Sequence, residues 1–212
     1  MEKETLLRVL ERESWLKTPA VIRAFHKVKR EDFVPAEYKD YAYADIPLPI
    51  MADQTISQPM TIAFMTEALQ VEDGNRILEV GSGSGYQAAI LAELTPKGEV
   101  YTIETIPTLA DFAKTNLKDY ENVHVTQGDG SKGWKQHAPY ERIMITAACP
   151  EVPKAIIEQL ADNGRLVAPV GGKYQQDMIL ITKKNGKIKK ESLGFPCVFV
   201  PLKGEFGWKE EL

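Results

Sequence analysis

From residue 76 onward, short apolar runs alternate with helical patterns, and this alternation limits the fold more than any other feature of the chain. RILEV (76–80) precedes a helical pattern over Tyr86–Leu94, and VYTIE (100–104) precedes one over Leu109–Leu117. VHVTQ (123–127) leads into a loop, RIMIT (142–146) precedes a helix over Pro153–Leu160, and RLVAPV (165–170) follows. Strand–helix alternation predicts an α/β fold whose parallel strands are joined by right-handed crossovers. The end of the chain differs: DMILITKK and KIKKESL flank Asn185-Gly186, the dipeptide favoured in tight hairpins, so the sheet is expected to finish in an antiparallel hairpin. Before residue 71 the pattern is helical and irregular. Residues 3–14 and a segment opened by Thr18-Pro19 read as amphipathic helices, and Pro59–Leu69 as a third. Residues 30–58 are broken by prolines but rich in aromatics, which suggests a loop packed on the body.

The 212 residues fit one domain, with 1–70 as an N-terminal helical cap and substrate segment and 71–212 as the α/β core and hairpin. A net charge of −4 gives no basic field to recruit nucleic acid, and no apolar run approaches the ~20 residues of a membrane span. Without a signal-peptide pattern at the N-terminus, a cytoplasmic protein is expected, its two cysteines, Cys149 and Cys197, reduced. Metal is not expected, because no His/Cys cluster has ligand spacing; His26, His124 and His137 read as structural or surface residues.

The candidate ligand site is ILEVGSGSGY, where an apolar run ends in Gly81, Gly83 and Gly85, with Ser82 between the first two. Glycines let backbone approach a ligand closely, and the following helix offers free N–H groups. The spacing is G-x-G-x-G, not the dinucleotide G-x-G-x-x-G, and no Lys-Ser/Thr follows as in a P-loop, so a pyrophosphate cradle is disfavoured. Glu79 would repel phosphate but suits an ammonium group. Glu104 ends the next strand, where an acid takes ribose hydroxyls. Asp129-Gly130 follows the third, where an acid could accept from an adenine amino group. Adenosine joined to an amino acid, S-adenosylmethionine, satisfies all three positions.

The chain resembles the protein-L-isoaspartate (D-aspartate) O-methyltransferase family nearly end to end. The resemblance runs through Asp32-Phe33-Val34-Pro35, YADIPLPI (43–50), QTISQP (54–59), LEVGSGSG (78–85) and GDG (128–130). It continues through TAACPEVPKAIIEQL (146–160), NGRLVAPVG (163–171) and Val200-Pro201-Leu202. It implies a Rossmann-like class I methyltransferase fold and methyl transfer from S-adenosylmethionine, leaving S-adenosylhomocysteine, to the free α-carboxylate of L-isoaspartyl residues in damaged proteins and peptides. It also implies a protein-repair role, with no nucleic-acid or membrane partner and a monomer as the default. Ser57 matches the family's active-site serine; Gln54, Thr55, Ile56 and Ser57 form a segment over the cofactor, and Thr105 joins Glu104 in the cofactor set. A related carboxyl or small-molecule methyltransferase, or a non-catalytic cofactor-binding module, is the alternative. Two departures stand out. Met51 and Asp53 occupy positions where the family often has glycine, and Met60 stands where it often has His or an aromatic. Asp53 is expected to set a carboxylate beside a site that receives one, at ~1 kcal/mol in water.

Overall fold

The computed structural model describes residues 1–209, so the last three residues of the expected 71–212 unit lie outside it. Two helices open the chain, α1 (Lys3–Arg12) and α2 (Pro19–Lys27), followed by 3₁₀ turns at Arg30–Phe33 and Ala36–Tyr41. A two-stranded antiparallel ribbon, β1 (Leu48–Pro49) and β2 (Thr55–Ile56), leads into α3 (Pro59–Leu69). The α/β part then runs β3 (Arg76–Val80), α4 (Tyr86–Leu94), β4 (Glu99–Glu104), α5 (Pro107–Asn116) and β5 (Val123–Gln127). It continues with β6 (Tyr140–Ile145), α6 (Lys154–Glu158), β7 (Leu160–Gly171), β8 (Gln176–Lys184) and β9 (Lys187–Cys197).

The seven strands lie in the order β5-β4-β3-β6-β7-β8-β9. Pairings from β5 to β7 are parallel, and β7–β8 and β8–β9 are antiparallel. Residues of the central strands alternate between two hydrophobic clusters. Ile77, Val100, Met144 and Val167 join one face; Leu78, Tyr101, Ile143 and Leu166 join the other. Burial on both faces is why these strands read as continuous apolar runs. The first cluster extends into Leu6, Leu10 and Phe25, so the N-terminal helices share the core of the sheet. Helix α4, beneath α2, is buried along almost its whole length, consistent with apolar residues around its circumference.

The expected elements appear, with two differences of extent. The expected helix over Pro153–Leu160 is shorter, because Leu160 already pairs with Tyr140 and opens β7, past an irregularity in the β6–β7 register. Thr18 precedes α2 as expected but does not cap it. Its Oγ1 donates to Glu67 Oε2 at 2.6 Å, and Glu67 Oε1 accepts from the N–H groups of Lys17 and Thr18. Asn185 and Gly186 both have positive φ, as the two-residue β8–β9 turn requires. The 30–58 segment is packed down: Arg30 and Phe33 are buried, and the Tyr43 hydroxyl donates to Glu31.

Strand order decides where a ligand can sit. The chain steps outward from β3 to β5, then returns to β6 on the opposite side of β3. The crossovers thus leave in opposite directions at the C-terminal ends of β3 and β6, and a crevice opens there.

Candidate active site

A cleft lined by the ends of β3 and β4 and by residues 54–57 occupies that switch point. The turn after β3 shapes its floor. Gly81 has φ +100, and a Cβ on it would collide with Thr146 Oγ1. That hydroxyl is fixed by donating to Val80 O at 2.9 Å and Gly81 O at 2.6 Å. Gly85, at φ +88, opens α4, and a Cβ there would meet the Leu117 side chain at 2.8 Å.

Three acids were expected in this cleft, and the structure treats them differently. Glu79 is fully buried and lines it. Thr102 Oγ1 donates to Glu79 Oε2, and the Ser82 hydroxyl lies 2.6 Å behind Thr102 Oγ1, so a relay of hydroxyls supports one carboxylate oxygen. The other, Oε1, is buried with no hydrogen-bond partner among the described residues. Burial pushes the Glu79 carboxyl up to about 8; the Thr102 bond opposes that rise, and the nearby Glu104 charge adds to it. A buried orphan acceptor in a cleft is the feature an ammonium group would complete. Glu104 is held in advance: Oε2 accepts from Gly83 N and Oε1 from Ile106 N, both at 3.0 Å. Each oxygen keeps a further lone pair, the geometry a vicinal diol needs.

Asp129 departs from the expectation. Its Oδ1 accepts from Ser131 N at 3.0 Å and Ser131 Oγ at 2.6 Å, and its Oδ2 accepts from Glu205 N at 3.0 Å. Burial would raise its carboxyl, but the bonds from Glu205 and Ser131, with Lys132 nearby, hold it below the usual carboxylate range. The side chain therefore anchors the C-terminal segment, and Gly130, not Asp129, lines the cleft. Gly85 is likewise a turn residue outside the lining, and the Ser82 hydroxyl faces Thr102. Gln54, Thr55, Ile56, Ser57, Gly83 and Thr105 all line the cleft, as expected.

A second cleft adjoins the first. Both are lined by Thr55, Ser57, Thr146 and Val200, which form the window between them. Ser57 is held there from both sides. Upstream, the β1–β2 ribbon pairs Leu48 with Ile56 and Pro49 with Thr55. Downstream, Asp45 Oδ1 accepts from Met60 N at 2.8 Å and Oδ2 from Gln58 Nε2 at 3.1 Å. Met60 faces the second cleft, together with Gln58, Thr61, Phe195 and Cys197. Asp53 does not: it is exposed, has positive φ and lines neither cleft, so the carboxylate expected beside the site stands outside its lining.

The sequence reading missed the wall formed by residues 200–203. It is hung from the TAACP turn by Ala148, whose N–H donates to Val200 O and whose carbonyl accepts from Leu202 N, both at 2.8 Å, and from Trp208 Nε1 at 2.9 Å. The Val200-Pro201-Leu202 string was visible, but nothing local shows that it folds back to the switch point. The three histidines lie outside both clefts; His124 meets Glu99 at 2.6 Å, and His137 stacks on Tyr101. Cys149 and Cys197 are free thiols. Among the described residues there is no group of three or more His, Cys, Asp or Glu able to hold a metal, and no helix long and apolar enough to cross a membrane.

Comparison with known proteins places this architecture. A protein-L-isoaspartate O-methyltransferase of Staphylothermus marinus is 47% identical, the match covering 99% of this chain and 97% of that one. One from Dictyoglomus turgidum is 48% identical over 99% and 94%. Among solved structures, a Plasmodium falciparum protein described as a protein-L-isoaspartate O-methyltransferase, in complex with S-adenosyl-L-homocysteine, superposes with a TM-score of 0.84. It is 27% identical, with 96% of this chain and 99% of that one covered. A further protein-L-isoaspartate O-methyltransferase structure superposes with a TM-score of 0.89 at 30% identity, covering 97% of this chain and 67% of that one. The family model for protein-L-isoaspartate(D-aspartate) O-methyltransferase matches residues 1–207, and the chain belongs to that family.

Proposed function

We propose that the first cleft holds S-adenosylmethionine and the second receives the isoaspartyl segment of a damaged protein, methyl transfer taking place at the window between them. The orphaned Glu79 Oε1 carries this reading, because an adenosyl amino acid has both the ammonium that oxygen lacks and the diol that Glu104 is set to accept. When bound, S-adenosylmethionine supplies an electrophilic methyl group on a sulfonium.

The chain's own residues then have positioning work to do. The substrate carboxylate is ionised at neutral pH and needs no general base. Ser57, at the window, is assigned a hydrogen bond that aims the carboxylate. The β1–β2 ribbon and the Asp45 clamp keep that serine from wandering, and alignment of this kind can carry much of a rate enhancement. The wall at 200–203 and the segment at 54–57 narrow the cleft from above and limit water beside the reacting centre. Glu79, Gly81, Gly83, Glu104, Thr105 and Gly130 are assigned to the cofactor by their positions. Residues 1–70 and 71–212 are taken as parts of one domain acting on isoaspartyl proteins in the cytoplasm, where free thiols persist.

The test is transfer of labelled methyl from S-adenosylmethionine to an isoaspartyl peptide and to its aspartyl counterpart. Incorporation restricted to the isoaspartyl peptide supports the assignment. Incorporation into neither, with the cofactor bound, would point instead to a binding module.

A further inference from the structure

Among the described residues the second cleft is polar without being charged: no Asp, Glu, Lys, Arg or His lines it, and its polar side chains are Thr55, Ser57, Gln58, Thr61 and Thr146. Two of these groups are already engaged. The Thr146 hydroxyl is spent on Val80 O and Gly81 O, and the Gln58 amide donates to Asp45. Thr55 is exposed. The backbone at the start of α3 is engaged too, since Met60 N donates to Asp45. Thr61, in the first turn of α3, is different. Its side chain is largely covered, at 8% exposure, it lines the cleft, and its hydroxyl bonds to no described residue without being sealed from solvent. Thr66 on the same helix shows the usual alternative, donating to Ile62 O at 2.7 Å. A hydroxyl open at a cleft and without an intramolecular bond is available to donate to a ligand.

We infer that Thr61 is a substrate-positioning residue whose hydroxyl donates to the oxygen of the isoaspartyl α-carboxylate that does not attack the methyl group. The inference rests on the function proposed above. Ser57 and Thr61 flank the start of α3 with hydroxyls that bond to no described residue, and a carboxylate has one oxygen to attack with and one to be held by. Neutral hydroxyls suit the chemistry: a paired cation would draw charge from the nucleophile, whereas hydroxyls fix its direction and leave most of that charge in place.

Thr61→Val removes the hydroxyl at nearly constant volume, and Thr61→Ser keeps it. The Val variant is expected to lower kcat/KM for an isoaspartyl peptide about 10- to 100-fold, the range for a hydrogen bond to a charged group. The Ser variant is expected to stay within about threefold of wild type, since the bond survives. Affinity for S-adenosylmethionine should be unchanged in both. The Val variant should weaken inhibition by the neutral methyl-ester product less than it weakens turnover, because the ester lacks the charge. Wild-type kcat/KM in the Val variant overturns the assignment, as does an equal loss in the Ser variant, which would mean that shape matters and not the hydroxyl. Equal losses for substrate and ester overturn the carboxylate contact. Absence of turnover by the wild-type protein on the isoaspartyl peptide would defeat the proposed function, and this inference with it; turnover by wild type with no effect in the Val variant defeats only the inference.

Discussion

The cofactor cleft and the segment that closes it are built by opposite means. The cleft grows from strand ends: Glu79 and Glu104 sit at the ends of β3 and β4, and Gly81, Gly83 and Gly85 take the positive-φ positions of the turn. Each is placed by the sheet ladder on one side and a helix start on the other. The segment from Ala42 to Gln58 has almost no ladder of its own. It relies on a ribbon of two residue pairs, the Asp45 clamp and the contact between Tyr43 and Glu31. It also takes its positive-φ positions with Ala52 and Asp53, not with glycine. The comparison teaches that binding of the cofactor is preorganised by backbone, whereas aiming of the substrate depends on a few side chains reaching across sequence gaps.

Replacing Ser57 by Ala should break the comparison most sharply. Loss of an aiming bond at the window should lower kcat/KM for an isoaspartyl peptide on the order of 10²-fold while cofactor affinity stays near wild type. Steady-state kinetics beside calorimetry reads both numbers, and a loss confined to cofactor binding would move Ser57 into the cofactor set. Glu104→Ala is the mirror experiment. It removes an acceptor held by Gly83 N and Ile106 N and should weaken S-adenosylmethionine binding by roughly 1.5–3 kcal/mol. Unchanged affinity in a folded variant would remove Glu104 from the cleft's function.

Glu79 gives a pH-dependent effect of comparable size. Its carboxyl is raised from an ordinary 4.5 to about 8, so in the ligand-free protein it is protonated at neutral pH, whereas an ammonium partner needs it ionised. Binding should therefore release a proton, and affinity should climb between about pH 6 and 8 by at most about tenfold per unit. Calorimetry in buffers of different ionisation heat counts that proton; Glu79→Gln should abolish both the release and the slope. The same shift acts on stability. A folded-state value above the unfolded one means that the ligand-free protein loses stability as pH rises from about 4.5 through about 8, and the Gln variant should not show this loss. The smallest effect sharpens the contrast in backbone. Ala52 lies at φ 57, so Ala52→Gly should relieve left-handed strain and, after the entropy cost of glycine, gain about 0.5–1 kcal/mol, visible as a higher Tm.

Much of this could be read before folding. The proline-led starts of α2 and α3, the apolar runs of β3 to β6 and the Asn185-Gly186 turn are set by residues close in sequence, and each formed as expected. Asp129 shows where such reading stops. Its place after β5 marked it as a ligand acid, yet Ser131 and Glu205, the latter from the far end of the chain, bond to it, and it does not line the cleft. Asp53 errs in the same way: it is near Ser57 in sequence, but the turn carries it out of both clefts.

What the sequence determined by itself was the periodicity of the strands, the turn chemistry of the glycine loop and the presence of acids at the ends of β3 and β4, because these depend on neighbours a few residues away. Only the tertiary structure decided which carboxylates line the cleft and what each already bonds to. It alone sets Glu79 Oε1 without a partner among the described residues, ties Asp129 to Glu205, hangs residues 200–203 on Ala148 and brings Thr61 to the edge of a cleft. Hydrogen-bond satisfaction is settled by whichever group arrives in space, and groups from residues 61, 148 and 205 meet the switch point only after the chain has crossed the sheet.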